Sequence, residues 1–289
     1  MTNQPDALTL VMPLRKKEGM TVAEFRQYWL DVHVTLPARY PGLRSVFLHL
    51  VSFAGSRWPG VDGVSGAPAE ADEFHGVPEA TFARMEDLAA FQAASHFQMV
   101  DGINFLSEML AYPSLGAASA TLVDTTAPAP DGTDGLLRHL LFLRRRPDVD
   151  VATFRSWVAD AFAPALAGHA RKVRRHLLEE IEVALDHPGT VMSKPLDRQY
   201  QACVEVVLDG EDGLAELVAG LADGVRAHCA AVHAPRVERC ITSRYDGRIT
   251  LAGLRGVTVA DLITRLHAEN QVDPAVSRIF VQDAALLPA

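Results

Sequence analysis

The sequence predicts an α+β protein made of two tandem ferredoxin-like (βαββαβ) units, and three observations carry that expectation. A shift of 129 residues lays residues 8–31 on residues 137–160 without a gap, so that Leu8, Leu14, Arg15, Val22, Ala23, Phe25, Arg26 and Asp31 recur as Leu137, Leu143, Arg144, Val151, Ala152, Phe154, Arg155 and Asp160. A repeat of that length is a domain rather than a solenoid turn, and each copy must bury its face against the other. Within each copy the apolar residues change from strand-like to helix-like spacing in the order β-α-β-β-α-β, which gives an antiparallel sheet with both helices on one face. Finally, 289 residues at 48% hydrophobic suffice for two domains of about 110 to 130 residues with ordinary cores. The expected organisation is a first unit over residues 1–115, a linker over 116–135, a second unit over 136–245 and an extension over 246–289.

The elements follow in order. Residues 7–14 are apolar and strand-like, and residues 15–20 form a polar turn around Gly19. Thr21 and Glu24 have the spacing of a capping box, which starts a helix at Val22. Phe25, Trp29 and Val32 share one face of that helix, with His33 at its edge one turn beyond Trp29. Pro37 and the pair Pro41-Gly42 end the helical region. Residues 43–53 read as a strand, 54–71 as a Gly/Pro/Ser-rich surface loop of lid-like length, and 74–82 as a strand carrying Glu79. A helix over 84–94 presents Met85, Leu88 and Phe91, and a last strand is expected near 108–112, just after Asp101 and Phe105. The second copy repeats this with strands at 136–143, 173–181, 199–208 and 237–244. Its helices are expected at 151–161, capped by Asp150, and at 214–222. Glu205 takes the place of Glu79. The extension adds a helix at 259–269 and a short strand near 279–281, which either covers a sheet edge or mediates oligomerisation.

Composition narrows the partners. A net charge of −9 excludes nucleic acid and anionic membranes, which demand a basic face. The basic runs Arg144, Arg145, Arg146 and Arg171, Lys172, Arg174, Arg175 read as solvated or inter-domain faces. Cys203, Cys229 and Cys240 match no zinc spacing and cannot all pair within one chain, which fits a reduced, cytoplasmic setting. The sequence shows no signal peptide and no apolar run long enough to span a bilayer. Phosphate loops and the Gly-x-Ser-x-Gly elbow are also missing from the sequence.

Among candidate residues, His33 stands first. An imidazole near neutrality accepts and returns a proton, as elimination or isomerisation requires; from helix position alone a core-edge histidine bonded to a carbonyl is the favoured reading. Its copy is Phe162, which predicts one active cavity per chain. Glu79 and Asp101 are alternative carboxylate partners for it, although the survival of Glu205 opposite Phe162 points Glu79 toward a structural bond. Tyr28 and Trp29 are expected in a cavity wall, and the change from Tyr28 to Trp157 suits a wall. His49 and His75 lie in strands that line the same expected cavity. A metal shared by these two and His33 is not expected, because no closely spaced ligand pair supports it.

The string Arg15-Lys16-Lys17-Glu18-Gly19-Met20-Thr21, then Glu24-Phe25-Arg26, Tyr28-Trp29, His33 and Pro41-Gly42-Leu43-Arg44, resembles the EthD family, with Gly76, Glu79, Asp101 and Phe105 similar to its later blocks. The resemblance covers about residues 7–112, and residues 136–245 read as a degenerate second copy. It implies an α+β barrel in which two ferredoxin-like units pack sheet against sheet, built here within one chain, with a further homodimer possible. It also implies action on small organic molecules, including dehydration of aromatic polyketides, and reverses the balance on His33 in favour of chemistry. Haem-binding relatives of that fold carry Gly-x-x-Asp-Gly, whereas Gln98-Met99-Val100-Asp101-Gly102 lacks the first glycine; haem is not expected. The function expected is a cofactor-independent lyase or isomerase acting on a small hydrophobic metabolite, with His33 moving the proton and Asp101 or Glu79 orienting it. The alternatives are a non-catalytic carrier and a cofactor-free oxygenase.

Overall fold

The computed structural model describes residues 7–54, 56, 58–126, 136–182, 189–210 and 213–281. The first unit comprises β1 (Leu8–Val11), β2 (Leu14–Lys16), α1 (Val22–Asp31), β3 (Leu43–Ser52), β4 (Gly76–Phe82), α2 (Met85–Ala94), α3 (His96–Gly102), β5 (Leu106–Met109), β6 (Tyr112–Leu115) and β7 (Ser119–Asp124). The second comprises β8 (Leu137–Arg145), α4 (Val151–Trp157), α5 (Ala163–Ala167), β9 (Lys172–Leu177), β10 (Ala202–Leu208), α6 (Gly213–His228), β11 (Cys229–His233) and β12 (Arg236–Tyr245). β13 (Arg248–Ile249), α7 (Leu251–Arg255), α8 (Val257–Arg265) and α9 (Pro274–Ser277) follow.

Strand pairing turns these units into one closed barrel. β4 pairs with β1 and β3, and β10 pairs with β8 and β9, all antiparallel. β3 then pairs with β12 of the second unit, and β9 with β7 of the first. β12 reaches β8 directly, while β6, one short turn before β7, pairs with β1. The ring therefore closes within a single chain. β7 lies where the sequence predicts linker: Ser119-Ala-Thr-Leu-Val-Asp is small and weakly apolar, and its pairing partner belongs to the other unit. The remaining linker residues, 127–135, lie outside the described residues.

Alternation along the strands sorts side chains into layers. Leu8, Val46, Leu48, Ala80 and Phe82 face α1, packing with Phe25 and Trp29. On the other face Val11, Val77, Leu140, Phe142, Cys203 and Cys240, drawn from both units, fill the barrel. Glu79 and Glu205 share this interior, each about 3% exposed. Glu205 meets Arg138 at 2.6 Å and Lys172 at 3.1 Å. Glu79 pairs with Arg174 of the second unit and lies 3.8 Å from His49 and 3.6 Å from His176. Burial alone would raise both carboxyls. The surrounding cations reverse this, holding Glu79 well below the carboxylate range and Glu205 at about 2. Arg174 and Lys172 thus serve the inter-unit face that their charge run suggests.

Two connections cross between the units. The segment expected as a surface loop is exposed over most of residues 58–71 and also straps the first unit to the second: Trp58, Val61 and Val64 join the second unit's core, and Ser65 bridges Ala231. Reciprocally, the β9–β10 connection places Val191 beside Glu108 of the first unit. In the extension, α7 and α8 pack on α1 and on the turn that follows it, sharing the first unit's core through Ala252, Val257 and Ala260. The strand expected near 279–281 is absent; Ile279 and Phe280 lie in a turn after α9, and residues 282–289 lie outside the described residues. No helix among the described residues is long and apolar enough to cross a membrane.

Candidate active site

The capping box at the start of α1 forms as the sequence dictates. Thr21 Oγ1 accepts from the Glu24 amide at 3.2 Å, and the Thr21 amide donates to Glu24 Oε2 at 2.8 Å. α1 stops at Asp31, and His33–Thr35 continues as a single 3-10 turn before Pro37. This tighter winding swings His33 into the layer between helices and sheet, where it is 9% exposed and its ring lies 4.7 Å from that of Phe105. Gly76 lets the Trp29 ring lie flat against β4, because a Cβ there would collide with the indole. The extension braces the other end of the segment. Asp31 caps α8, accepting from the Thr258 amide at 2.8 Å, and Arg39 donates to Leu254 O at 2.7 Å. The approach of Gly256, at φ +84°, to the Asp31 backbone suits only glycine.

Asp101 reaches His33 from α3. Its Oδ2 lies 2.8 Å from His33 Nδ1, while its Oδ1 accepts from Tyr28 Oη at 2.6 Å and from Asn104 Nδ2 at 3.1 Å. Asn104 Nδ2 also donates to Tyr28 Oη at 3.0 Å. Burial would raise the Asp101 carboxyl, but the donors His33, Tyr28 and Asn104 hold it below its usual value, so it stands as an anion at neutral pH. Burial, reinforced by the bond to this carboxylate, pushes the Tyr28 phenol up, so Tyr28 remains a donor. A carboxylate only accepts, so His33 Nδ1 donates to Asp101 and Nε2 is the ring nitrogen left for a ligand.

His33 opens into a cavity of about 450 Å³ between the helices and the sheet of the first unit. Leu10, Met12, Trp29, Leu48, Phe82, Leu88 and Phe91 form much of its wall, and Gln92, Ser95, Gln98 and Thr190 are its uncharged polar residues. Among the described residues lining it, His33 is the only titratable one. The wall is mostly apolar, with His33 its one ionisable side chain among the described residues.

The other sequence candidates separate. Trp29 lines the cavity, whereas Tyr28 stands behind Asp101 and lines no part of it. Glu79 does not join His33: residues 77, 79 and 81 face the barrel and residues 78, 80 and 82 face the cavity, so one sheet thickness lies between the two. His49 shares the barrel face, pushed up to about 9 by Cys240 and Glu79 against the opposing effect of burial. His75 lies beyond the end of β4, beside Phe25 and the Lys16 amide. Burial, with Lys16, Arg15 and Arg26 near it, lowers the ring to about 4 and keeps it neutral. His33, His49 and His75 therefore face three different surroundings. Asp101 lies in helix α3 rather than just before a strand; the break at Ser95, whose Oγ donates to Gln92 O at 3.1 Å, separates α3 from α2. Sequence reasoning missed Asn104, whose only signal is its place three residues after Asp101. It also missed Thr190 and Met192, which come from the other unit and have no local signal.

The comparisons agree with this architecture. No curated protein matches the sequence. Among solved structures, the chain is similar to a "putative monooxygenase" from Fusobacterium nucleatum, at TM-score 0.50 and 8% identity over 85% of this chain and 97% of that one. It is also similar to an anthrone oxidase-like protein, at 0.47 and 14% over 84% and 95%. A "putative monooxygenase" from Lactobacillus acidophilus gives 0.46 and 10% over 83% and 97%. At 8% identity the likeness to the Fusobacterium structure is one of fold alone. The sequence match is local: residues 17–108, which carry α1, His33, Asp101 and the cavity-lining strands β3 and β4, match the EthD domain. Over this stretch the chain is similar to the EthD family.

Proposed function

We propose that the protein is an enzyme that transfers protons on a neutral, hydrophobic, cyclic or aromatic metabolite bound in the first unit's cavity, a lyase or isomerase of the dehydratase or cyclase kind. The observation that supports this reading is an apolar cavity of about 450 Å³ whose one titratable lining residue among those described, His33, is held by a carboxylate at Nδ1. His33 Nε2 removes a proton from carbon beside a carbonyl of the substrate. The electron pair forms a double bond as a neighbouring hydroxyl leaves, and the imidazolium returns its proton to that oxygen, releasing water. Asp101 stabilises the transient imidazolium, and the apolar wall keeps bulk water from quenching the carbanion.

The test follows turnover of a panel of hydroxylated and keto polycyclic aromatics by mass spectrometry, with oxygen uptake and ligand binding in parallel. His33→Ala is expected to lose about 10²- to 10⁴-fold in turnover while binding persists. Tight binding without conversion in either protein assigns a carrier instead. Oxygen consumption coupled to product assigns a cofactor-free oxygenase, in which the same base creates the electron-rich anion.

A further inference from the structure

The two β-β connections that cross between the units are related by the repeat, yet they end in different surroundings. Residues 54–71 dock on β11, where the Ser65 amide donates to Ala230 O at 3.0 Å and Ser65 O accepts from Val232 at 2.9 Å. They deliver Val61 and Val64 to a closed core in which Phe154, Val158, Phe162 and Leu166 have no exposure. The returning connection docks on β5 in the same manner. The Val191 amide donates to Ser107 O and the Met109 amide to Val191 O, both at 2.9 Å. Here the flanking residues Thr190 and Met192 reach the open cavity that holds His33.

An ionic clamp fixes this segment. Lys194 Nζ lies 2.9 Å from Asp72 Oδ1 and 2.8 Å from Glu108 Oε1, with its side chain only 10% exposed, and Arg198 also pairs with Asp72. Backbone bonds on one side and a nearly buried cation between two carboxylates on the other leave the segment little freedom to withdraw. A cavity wall held so firmly selects by shape.

Resting on the reading of this cavity as the ligand site, we infer that residues 189–194 of the second unit form the specificity wall of the first unit's site, with Met192 setting the size of ring system admitted and Lys194 holding the wall in place. The second unit therefore does more than close the barrel: it selects what the first unit accepts.

The test uses the full chain and three neutral fluorescent probes of increasing size, 2-naphthol, 2-hydroxyanthracene and 1-hydroxypyrene. Met192→Ala is expected to shift preference toward 1-hydroxypyrene over 2-naphthol by about 10-fold, and Met192→Trp to reverse it by a similar factor, as expected when a pocket wall gains or loses a few carbon atoms. Met192→Leu, conserving volume, should keep the wild-type order, and Lys194→Met should flatten it by freeing the wall. Val61→Ala in the reciprocal connection should cost stability without changing preference. Folded Met192 variants with an unchanged order of affinities overturn the inference and leave the cavity reading intact. If none of the probes binds the wild type while turnover of the metabolite panel also fails, the cavity reading falls and takes this inference with it.

Discussion

In the first unit Tyr28, Asp101 and His33 form a hydrogen-bonded chain beside an open cavity, while in the second Trp157 packs its ring 5.0 Å from Phe162 and 4.6 Å from His228. The same helix–strand framework thus holds a polar relay in one copy and a filled aromatic layer in the other. The helices differ accordingly. The first breaks into 3-10 turns at His33; the second continues through a π turn over Val158–Phe162 into Pro164, whose missing amide suits the wider winding. The carboxylates of the barrel tell the opposite story, because Glu79 and Glu205 are both kept and both paired across the sheet. What duplication preserved holds the barrel together, and what it let one copy lose belongs to the cavity.

This division between barrel and cavity fails if a barrel residue behaves as a site residue. Glu79→Ala leaves Arg174 buried without its partner and should cost about 3–5 kcal/mol, a fall in Tm on the order of 10 °C, read by denaturant and thermal unfolding. Unchanged stability with lost turnover would move Glu79 into the chemistry. Glu205 sharpens the same point through pH. Its folded value of about 2 lies below the ordinary 4.5 of a glutamate, so its contribution is present above 4.5 and fades as pH falls from 4.5 toward 2. Stability should drop by about 3 kcal/mol over that window, and Glu205→Gln should remove this acid limb from unfolding curves.

Phe162→His places a polar ring in a position with no exposure and should destabilise by about 2 kcal/mol. Without a carboxylate at the end of α6, where His228 stands instead, the double variant His33→Ala/Phe162→His should stay inactive; restored turnover would show that the second copy lacks only its histidine. The smallest expected effect is that of Tyr28→Phe, which removes one donor from Asp101. It should reduce kcat about 5-fold, or about 1 kcal/mol, with KM and probe binding unchanged, as steady-state kinetics would show. A raised KM would place the phenol against the ligand.

Much of the framework was legible in the residues themselves. The capping box and the alternating strands rest on short-range pattern, which local sterics enforce, and the repeat is read by laying one half of the chain on the other; Asp101 is one of two carboxylates named for His33. What was not legible is that the cavity holding His33 lies on the opposite face of β4 from Glu79, because all seven residues of β4 are buried and hydrophobic alternation vanishes when a strand is covered on both sides. β7 was likewise hidden, since its strand character comes from β9, some 50 residues along the chain. The sequence by itself determined two βαββαβ units and a histidine present in only one. Only the folded chain shows that Asp101 rather than Glu79 meets His33, and that Met192 of the second unit lines the first unit's cavity. These last are contacts between distant segments, fixed by packing and charge pairing that no local spacing encodes.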